Sequence, residues 1–288
     1  MLKKVGHLSV PAIFLRLYLS GPLLFILLFC SAPTLAAPKA DLWDRWLAHD
    51  PQSTGTVDHK PWDRFLKANI VRGSDGVTRL PYATISAADR MALDGYLARL
   101  AKVPVSKLKQ TEQRAFWINL YNALTVSVIL DHYPVKSIWD IDISPGFFSV
   151  GPWGKKLISI EGVKVSLDEI EHRILRPIWK DPRIHYAVNC AAIGCPNLQT
   201  QAFTSENTDG LLSQAAREYV NHPRGVRVED EKLVVSSIYR WFAADFGSKD
   251  RAVIAHLKRY AEPTLQRRLE QVSRIWSHGY DWALNEVH

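Results

Sequence analysis

The residues best suited to chemistry are two cysteines five positions apart, Cys190 and Cys195, in the stretch RIHYAVNCAAIGCP. His185 and Asn189 precede the first cysteine within this stretch. One chemistry is a disulfide that closes a very short loop, which the loop-entropy model values at roughly 2 kcal/mol. The other is a cysteine nucleophile activated by a histidine base, with an amide or a carboxylate that orients the histidine. The sequence leaves both chemistries open.

A cysteine-dependent site would draw on several elements of the chain. The candidates for catalytic roles are Cys190, Cys195, His172, His185, Asn119 and Asp168. Residues 183–190 alternate in a way that predicts a half-buried strand. Alternation then places His185 and Cys190 on opposite faces of that strand. His172, which precedes the strand, is therefore the better partner for a cysteine.

A capping box at Ser166 and Glu169 predicts a helix that continues to Arg176. Asp168 and His172 lie four positions apart on this helix, so the carboxylate can orient the imidazole. The geometry suits a general base. It equally suits a surface helix whose charged side chains simply pair with one another.

A third possibility is a binding module without catalysis. Residues 145–154, PGFFSVGPWG, form a loop rich in glycine, proline and aromatic residues. Such loops can close over a ligand, although these aromatic side chains can also fold back onto the core. The candidate binding residues are Asn122, Asn189, Glu171, Phe147, Phe148 and Trp153.

The segment from about 112 to 132 is apolar nearly all round, which predicts a central helix. Asn119 and Asn122 interrupt it on neighbouring positions of one face. A buried amide must find hydrogen-bond partners or cost a few kcal/mol. The two asparagines therefore either tie loops to the core or orient a site residue.

The elements predict an α+β fold, a mainly helical single domain over residues 42–288 with a small antiparallel or mixed sheet. The sheet is expected to contain two hairpins and the strand at 183–190. The hairpins are predicted at 157–165 and 225–236. Further helices are predicted near residues 42–47, 58–72, 86–103, 205–219, 238–246 and 251–260.

Composition excludes several classes of protein. Of 288 residues, 47% are hydrophobic and 23% are charged, as in an ordinary globular protein. The net charge of +7 is spread along the chain instead of forming a basic stripe with interleaved aromatic residues, so no nucleic-acid partner is expected. Glycine-rich phosphate loops and metal-ligand spacings are absent from the sequence, so neither a cofactor nor a metal is predicted.

The N-terminus has the three parts of a secretory signal peptide. These are the basic residues Lys3 and Lys4, an apolar run at 23–30, and small residues at 34–37. We expect cleavage after Ala36, with a linker at 37–41, a periplasmic or secreted location and no stable membrane span afterwards. The alternative is an uncleaved anchor, because residues 13–28 are apolar apart from Arg16.

Four blocks of sequence resemble a known family, the domain of unknown function 547 (DUF547) family, in its exported bacterial form. The blocks are AFWINLYNALT at 115–125, SLDEIEHRILR at 166–176, DPRIHYAVNCAAIGCP at 181–196 and YDWALN at 280–285. The resemblance implies no activity, because the family is named for lacking one. The family is also similar to plant proteins that join this domain to a leucine zipper. This chain has no zipper heptads. The family pattern most often has serine at Ala192 and Ala283, so neither position holds an indispensable hydroxyl here.

The sequence therefore supports an exported soluble protein that binds a small molecule or an envelope partner, with its cysteine loop braced by a disulfide. The alternative is a cysteine-dependent hydrolase or acyltransferase. Such an enzyme would act on envelope peptides or on small thiol or amide substrates. Whether the protein is an enzyme stays open from sequence.

Overall fold

Helix α3, Gln110–His132, lies at the centre of the fold. Its middle turns are buried on every side, and Phe116, Trp117 and Ile118 are each 0% exposed. A helix that is apolar all round must be covered on every face by other elements. The predicted central helix is confirmed, and Asn119 and Asn122 both lie in its buried part.

The computed structural model describes residues 38–146 and 150–287. Within them the α-helices are α1 (Lys60–Asn69), α2 (Ala87–Leu100), α3, α4 (Leu167–Glu169), α5 (Arg176–Trp179), α6 (Thr208–Val220), α7 (Ile238–Trp241), α8 (Asp250–Tyr260) and α9 (Pro263–Glu270). The strands are β1 (Val71–Arg72), β2 (Thr78–Arg79), β3 (Ile158–Ile160), β4 (Val163–Val165), β5 (Val226–Glu229), β6 (Lys232–Ser236) and β7 (Ile275–Gly279). Short 3-10 helices lie at Asp44–Leu47, Tyr82–Thr84, Val105–Lys107, Ile138–Asp140 and Pro182–Tyr186. The predicted signal peptide, 1–36, lies outside the described residues.

A continuous helical segment carries several of the predicted site residues. Ser166 caps it through the predicted capping box, in which its side chain accepts from the Glu169 N–H. Between α4 and α5 the backbone forms a π-helix, Ile170–Leu175. Such wide turns are rare and occur frequently at functional sites. Lys180 ends the segment in the left-handed conformation, with φ of 48°.

The strands form three separate small sheets in the described residues. Both predicted hairpins are present, as β3–β4 and as β5–β6. Strand β7, which the sequence analysis missed, adds to β6 in parallel. The prediction that both hairpins would share one sheet is wrong. The mainly helical α+β class is confirmed.

The predicted strand at 183–190 is also wrong, because the chain forms a 3-10 helix there, Pro182–Tyr186. The Asp181 side chain accepts a hydrogen bond from the Arg183 N–H at 2.9 Å, and Pro182 occupies the first helical position. This local capping favours a helical turn over an extended strand. Three consecutive residues, 184–186, are buried, so the alternation in sequence does not reflect alternating burial. Strand faces therefore do not separate His185 from Cys190.

Two hydrophobic clusters stabilise the fold. The larger surrounds α3 and includes residues from α1, α2 and the π-helix. The smaller lies among α6, α8 and the β5–β6 hairpin, and Tyr186 belongs to it. The 3-10 helix at Pro182–Tyr186 contributes Ile184 to the larger cluster and Tyr186 to the smaller one. In the chain, the cysteine loop comes shortly after this 3-10 helix.

Candidate functional site

The cysteine loop is closed by a disulfide between Cys190 and Cys195, whose Cα atoms are 6.3 Å apart. The predicted disulfide is therefore present. The loop is paired with the C-terminal segment, because the Gly194 N–H donates to the Asp281 carbonyl at 2.8 Å. A Cβ atom at Gly194 would lie 2.8 Å from backbone atoms of Asp281, so the close approach needs glycine. The disulfide and the C-terminal segment together fix the loop.

The Tyr280 hydroxyl lies on the disulfide, 3.0 Å from each sulfur atom. The Cys190 N–H also donates to the Cys195 sulfur, at 2.9 Å. Cys195 is buried, whereas Cys190 is partly exposed. The two sulfur atoms therefore have different surroundings.

The predicted asparagines hold backbone in place. Asn119 binds both the N–H and the carbonyl of Phe203. Asn122 donates to the Ala187 carbonyl at 2.8 Å and accepts from the Asn189 N–H at 2.8 Å. Asn189 in turn bridges the two ends of the cysteine loop, bonding the Pro196 carbonyl and the Ala191 N–H. These contacts match the loop-tying interpretation, and Asn119 holds the loop at Phe203, which is not the cysteine loop.

A buried ionic cluster lies beside the cysteine loop. Asp245 accepts hydrogen bonds from His185 Nε2 at 2.7 Å and from Arg176 Nε at 2.6 Å. On its other side, His185 Nδ1 lies 3.6 Å from a carboxylate oxygen of Glu171. Arg176 also contacts His172 Nδ1 at 3.0 Å. The cluster combines two residues from the π-helix with one from α5, one from the 3-10 helix and one from the turn after α7.

The cluster places two carboxylates among basic side chains. Burial favours the neutral carboxyl of Glu171, but His172, His185 and Arg176 outweigh burial and lower the pKa of Glu171 to about 2. Burial lowers the pKa of His172 to about 4, so this histidine is neutral at pH 7. For His185, burial lowers the pKa, but the hydrogen bond to Asp245 and the nearby Glu171 carboxylate outweigh burial and raise it. Asp245 thus pairs with His185 and Arg176, and Glu171 lies beside His185.

Asp168 stands at the edge of this cluster. Its side chain is 42% exposed, and Oδ1 lies 3.7 Å from His172 Nε2, so the predicted pair is brought together. Partial burial, together with the negative charges of Glu171 and Glu169, raises the pKa of Asp168 to about 6. An ionised Asp168 therefore adds a negative charge that faces solvent.

Five partly exposed rings form a continuous surface that we call the aromatic wall. Its members are Trp139, Trp153, Trp241, Tyr280 and Trp282. Neighbouring ring centroids lie between 4.5 and 5.9 Å apart, most of them edge-on or tilted. Such geometries are the favoured ones for aromatic pairs. Of the predicted aromatic binders, Trp153 belongs to the wall, and Phe147 and Phe148 lie outside the described residues.

The aromatic wall, the carboxylates and the disulfide meet at one place. The Asp168 N–H donates to the Trp153 carbonyl at 3.0 Å, which joins the backbone of Asp168 to a residue of the wall. Tyr121, on α3, interacts electrostatically with Glu171, Asp168 and Tyr280. Tyr280 itself contacts both sulfur atoms. The candidate functional site therefore consists of the aromatic wall, Asp168 and the cysteine loop.

Several residues of this site and of its surroundings, including the ionic cluster, were not predicted from the sequence. They are Tyr121, Trp139, Arg176, Trp241, Asp245, Tyr280 and Trp282. Tyr121, Arg176, Tyr280 and Trp282 lie inside the four sequence blocks that carry the family resemblance, so the blocks could have suggested them. Asp245 follows a short helix with no pattern of its own. Only the tertiary fold shows that it binds His185.

Within residues 38–146 and 150–287, no group of three or more histidine, cysteine or acidic side chains is arranged to hold a metal ion. Across the same residues, none of the helices combines the length and apolarity needed to cross a membrane.

The fold and the site define a mainly helical α+β domain with a disulfide-closed loop beside an aromatic surface. Residues 105–220 match the family model described as "Protein of unknown function, DUF547", which confirms the family predicted from the motifs. The matched segment contains α3, the π-helix, the cysteine loop and α6. Trp241, Asp245, Tyr280 and Trp282 lie beyond it. No curated protein and no solved structure matches the chain.

Proposed function

We propose that the protein binds a small organic ligand at the aromatic wall and that Asp168 recognises a cationic group on this ligand. The observation that carries the proposal is the convergence of five partly exposed rings with one half-exposed carboxylate. Large aromatic side chains gain most from burial, so a contiguous set that stays partly exposed is a mark of a binding surface. The signal-peptide pattern of the N-terminus supports a ligand of the cell envelope or the exterior.

The chemistry of the site favours a cation. Aromatic ring faces attract ammonium groups, most strongly those of tryptophan. Asp168 adds a carboxylate that faces solvent, and its N–H donates to the Trp153 carbonyl. A neutral sugar would use the rings but would gain less from the carboxylate. We therefore expect a ligand that carries an amine or a quaternary ammonium group.

The test uses choline and its uncharged isostere 3,3-dimethylbutan-1-ol, with tryptophan fluorescence as the readout. Choline is expected to give a saturable change at pH 8, and the isostere a much weaker one. Because the pKa of Asp168 is about 6, only about one tenth of the sites are ionised at pH 5. The apparent affinity for choline should then fall about tenfold.

Two variants locate the binding surface. Trp282→Ala removes a central ring of the wall and should abolish the saturable change. Trp276→Ala is the matched control, because Trp276 is 54% exposed but lies on β7, outside the wall. Equal binding of choline and its isostere would contradict the role of Asp168. A titration that stays flat with both compounds would contradict the proposed function as a whole.

A cysteine-dependent hydrolase or acyltransferase is the second candidate, and the part-exposed position of Cys190 favours it. It requires a reduced loop, since both sulfur atoms are bonded to each other in the structure. His185 is engaged by Asp245 and stacks on Phe242 at 4.2 Å between centroids, so it is not oriented toward a sulfur atom by these contacts. Thiol titration without denaturant separates the two candidates. One free, iodoacetamide-sensitive thiol in the region 184–217 would favour the hydrolase, and none before reduction would oppose it.

A further inference from the structure

The surroundings of the disulfide differ at its two ends. Cys195 is 3% exposed, whereas Cys190 is partly open to solvent. A thiolate from outside can therefore reach the Cys190 sulfur more readily than the Cys195 sulfur. In thiol–disulfide exchange the rate depends on which sulfur is attacked and on how well the other sulfur leaves.

The Cys195 sulfur is prepared for departure by two hydrogen-bond donors. The Cys190 N–H lies 2.9 Å from it and the Tyr280 hydroxyl 3.0 Å. Hydrogen bonds to an ionised acceptor are about twice as strong as those to a neutral one, so both contacts strengthen as negative charge develops on the sulfur. Burial raises the pKa of Tyr280 well above its usual value, which keeps the hydroxyl protonated as a donor.

The backbone of the loop is held independently of the disulfide. Asn189 binds the Pro196 carbonyl at 2.8 Å, and Ile193 and Gly194 donate to carbonyls of the C-terminal segment at 2.8 Å each. Asn122 anchors the start of the loop from α3. None of these contacts involves a sulfur atom, so we expect them to hold the two thiols close together after reduction.

We propose that the Cys190–Cys195 disulfide is an exchange-active redox centre that oxidises dithiols, with Cys190 as the attacked sulfur, Cys195 as the leaving thiolate and Tyr280 as the donor that stabilises it. The first thiolate of the substrate bonds to the Cys190 sulfur as the Cys190–Cys195 bond breaks. The second thiolate of the substrate then displaces Cys190. The substrate is oxidised to a disulfide, and its two electrons and two protons pass to the two cysteines.

This activity is separate from ligand binding at the aromatic wall, although Tyr280 belongs to both. The substrate class is a dithiol of a small molecule or of a protein. Reoxidation is the reverse exchange with a disulfide-bearing partner. A purely structural disulfide would instead react only after the surrounding fold opens.

The first experiment measures the rate of reduction of the full-length folded protein by dithiothreitol. Iodoacetamide stops the reaction, and mass spectrometry follows the tryptic peptide 184–217, which contains both cysteines and excludes Cys30. Tyr280→Phe removes one charge-assisted hydrogen bond to the leaving sulfur and should slow reduction about 3- to 10-fold. Tyr82→Phe is the matched control, because its hydroxyl binds Asn285 on the same C-terminal segment without touching sulfur. An unchanged rate in Tyr280→Phe would overturn the role of Tyr280.

The second experiment determines which of the two sulfur atoms an outside thiolate attacks. The wild-type protein is treated with reduced glutathione and trapped with iodoacetamide, and fragmentation of peptide 184–217 locates each group. We expect glutathione on Cys190 and the iodoacetamide product on Cys195. Glutathione on Cys195 would overturn the direction. Reduction that occurs only at denaturant concentrations that unfold the protein would overturn the redox centre itself.

Discussion

Replacing Asp245 with asparagine tests whether the buried ionic cluster stabilises the fold. Asp245 accepts from Arg176 and His185, whose side chains are only 4% and 2% exposed. Removal of one partner from a buried pair usually costs about 3–5 kcal/mol, because an uncompensated charge stays behind. Two features reduce this cost here. Asp245 is itself 21% exposed, so solvent screens part of the interaction, and asparagine keeps one acceptor oxygen. We therefore expect a loss of about 2–4 kcal/mol at pH 7.

The assay is urea unfolding followed by far-ultraviolet circular dichroism. With a denaturant slope of about 3 kcal/mol per molar urea, the midpoint should fall by roughly 1 M. Asp209→Asn is the control, because Asp209 binds Arg183 from a side chain that is 78% exposed. That variant should lose less than about 0.5 kcal/mol. Equal, small losses in the two variants would refute the reasoning that the cluster carries net stability.

Two further substitutions test the electrostatics and the loop. The pKa of Asp168 is about 6 in the folded protein, above its unfolded value, so ionisation of Asp168 at high pH disfavours the fold. The variant Asp168→Asn, whose side chain stays neutral, should therefore be more stable than the wild type at pH 8. At pH 4 the two proteins should differ little. Thermal unfolding at both pH values checks this, and a destabilised variant at pH 8 would contradict it. In Asn122→Ala, two buried backbone groups of Ala187 and Asn189 lose their partner, which should cost about 2–4 kcal/mol in urea unfolding. Gln214→Ala, an exposed helical amide, is its control, and similar losses in both variants would show that the loop does not depend on Asn122.

The parts of the fold that were predictable from sequence depend on local signals. The capping box at Ser166, the turns of the two hairpins and the apolar run of α3 each specify a structure within a few residues. Strand β7 was not predictable in this way, because it is mostly exposed and forms only by pairing in parallel with β6. The alternation at 183–190 was misleading because the local cap at Asp181 determines the backbone there.

The candidate site was predictable only in part. Cys190, Cys195, Asp168 and Glu171 were named from their types and spacing, and the structure brings them to one region. Asp245 could not be found, since its contact with His185 joins residues 60 positions apart. The π-helix could not be found either, because the ordinary 3.6-residue period already explained that segment. Hydrogen bonds and ion pairs between distant elements do not produce a periodic pattern in the sequence.

The C-terminal segment has a consequence for how the protein acquires its site. Tyr280 binds sulfur atoms 90 and 85 positions earlier in the chain, and Asn285 binds Tyr82 across 203 positions. Contacts at such separations close large loops, which slows their formation. During synthesis, α3 and its neighbours can form from about the first 270 residues. The C-terminal segment that pairs with the cysteine loop is complete only when residue 285 has been made. Tyr280 can reach the two sulfur atoms only after residue 280 has been made, so the environment of the disulfide is assembled last.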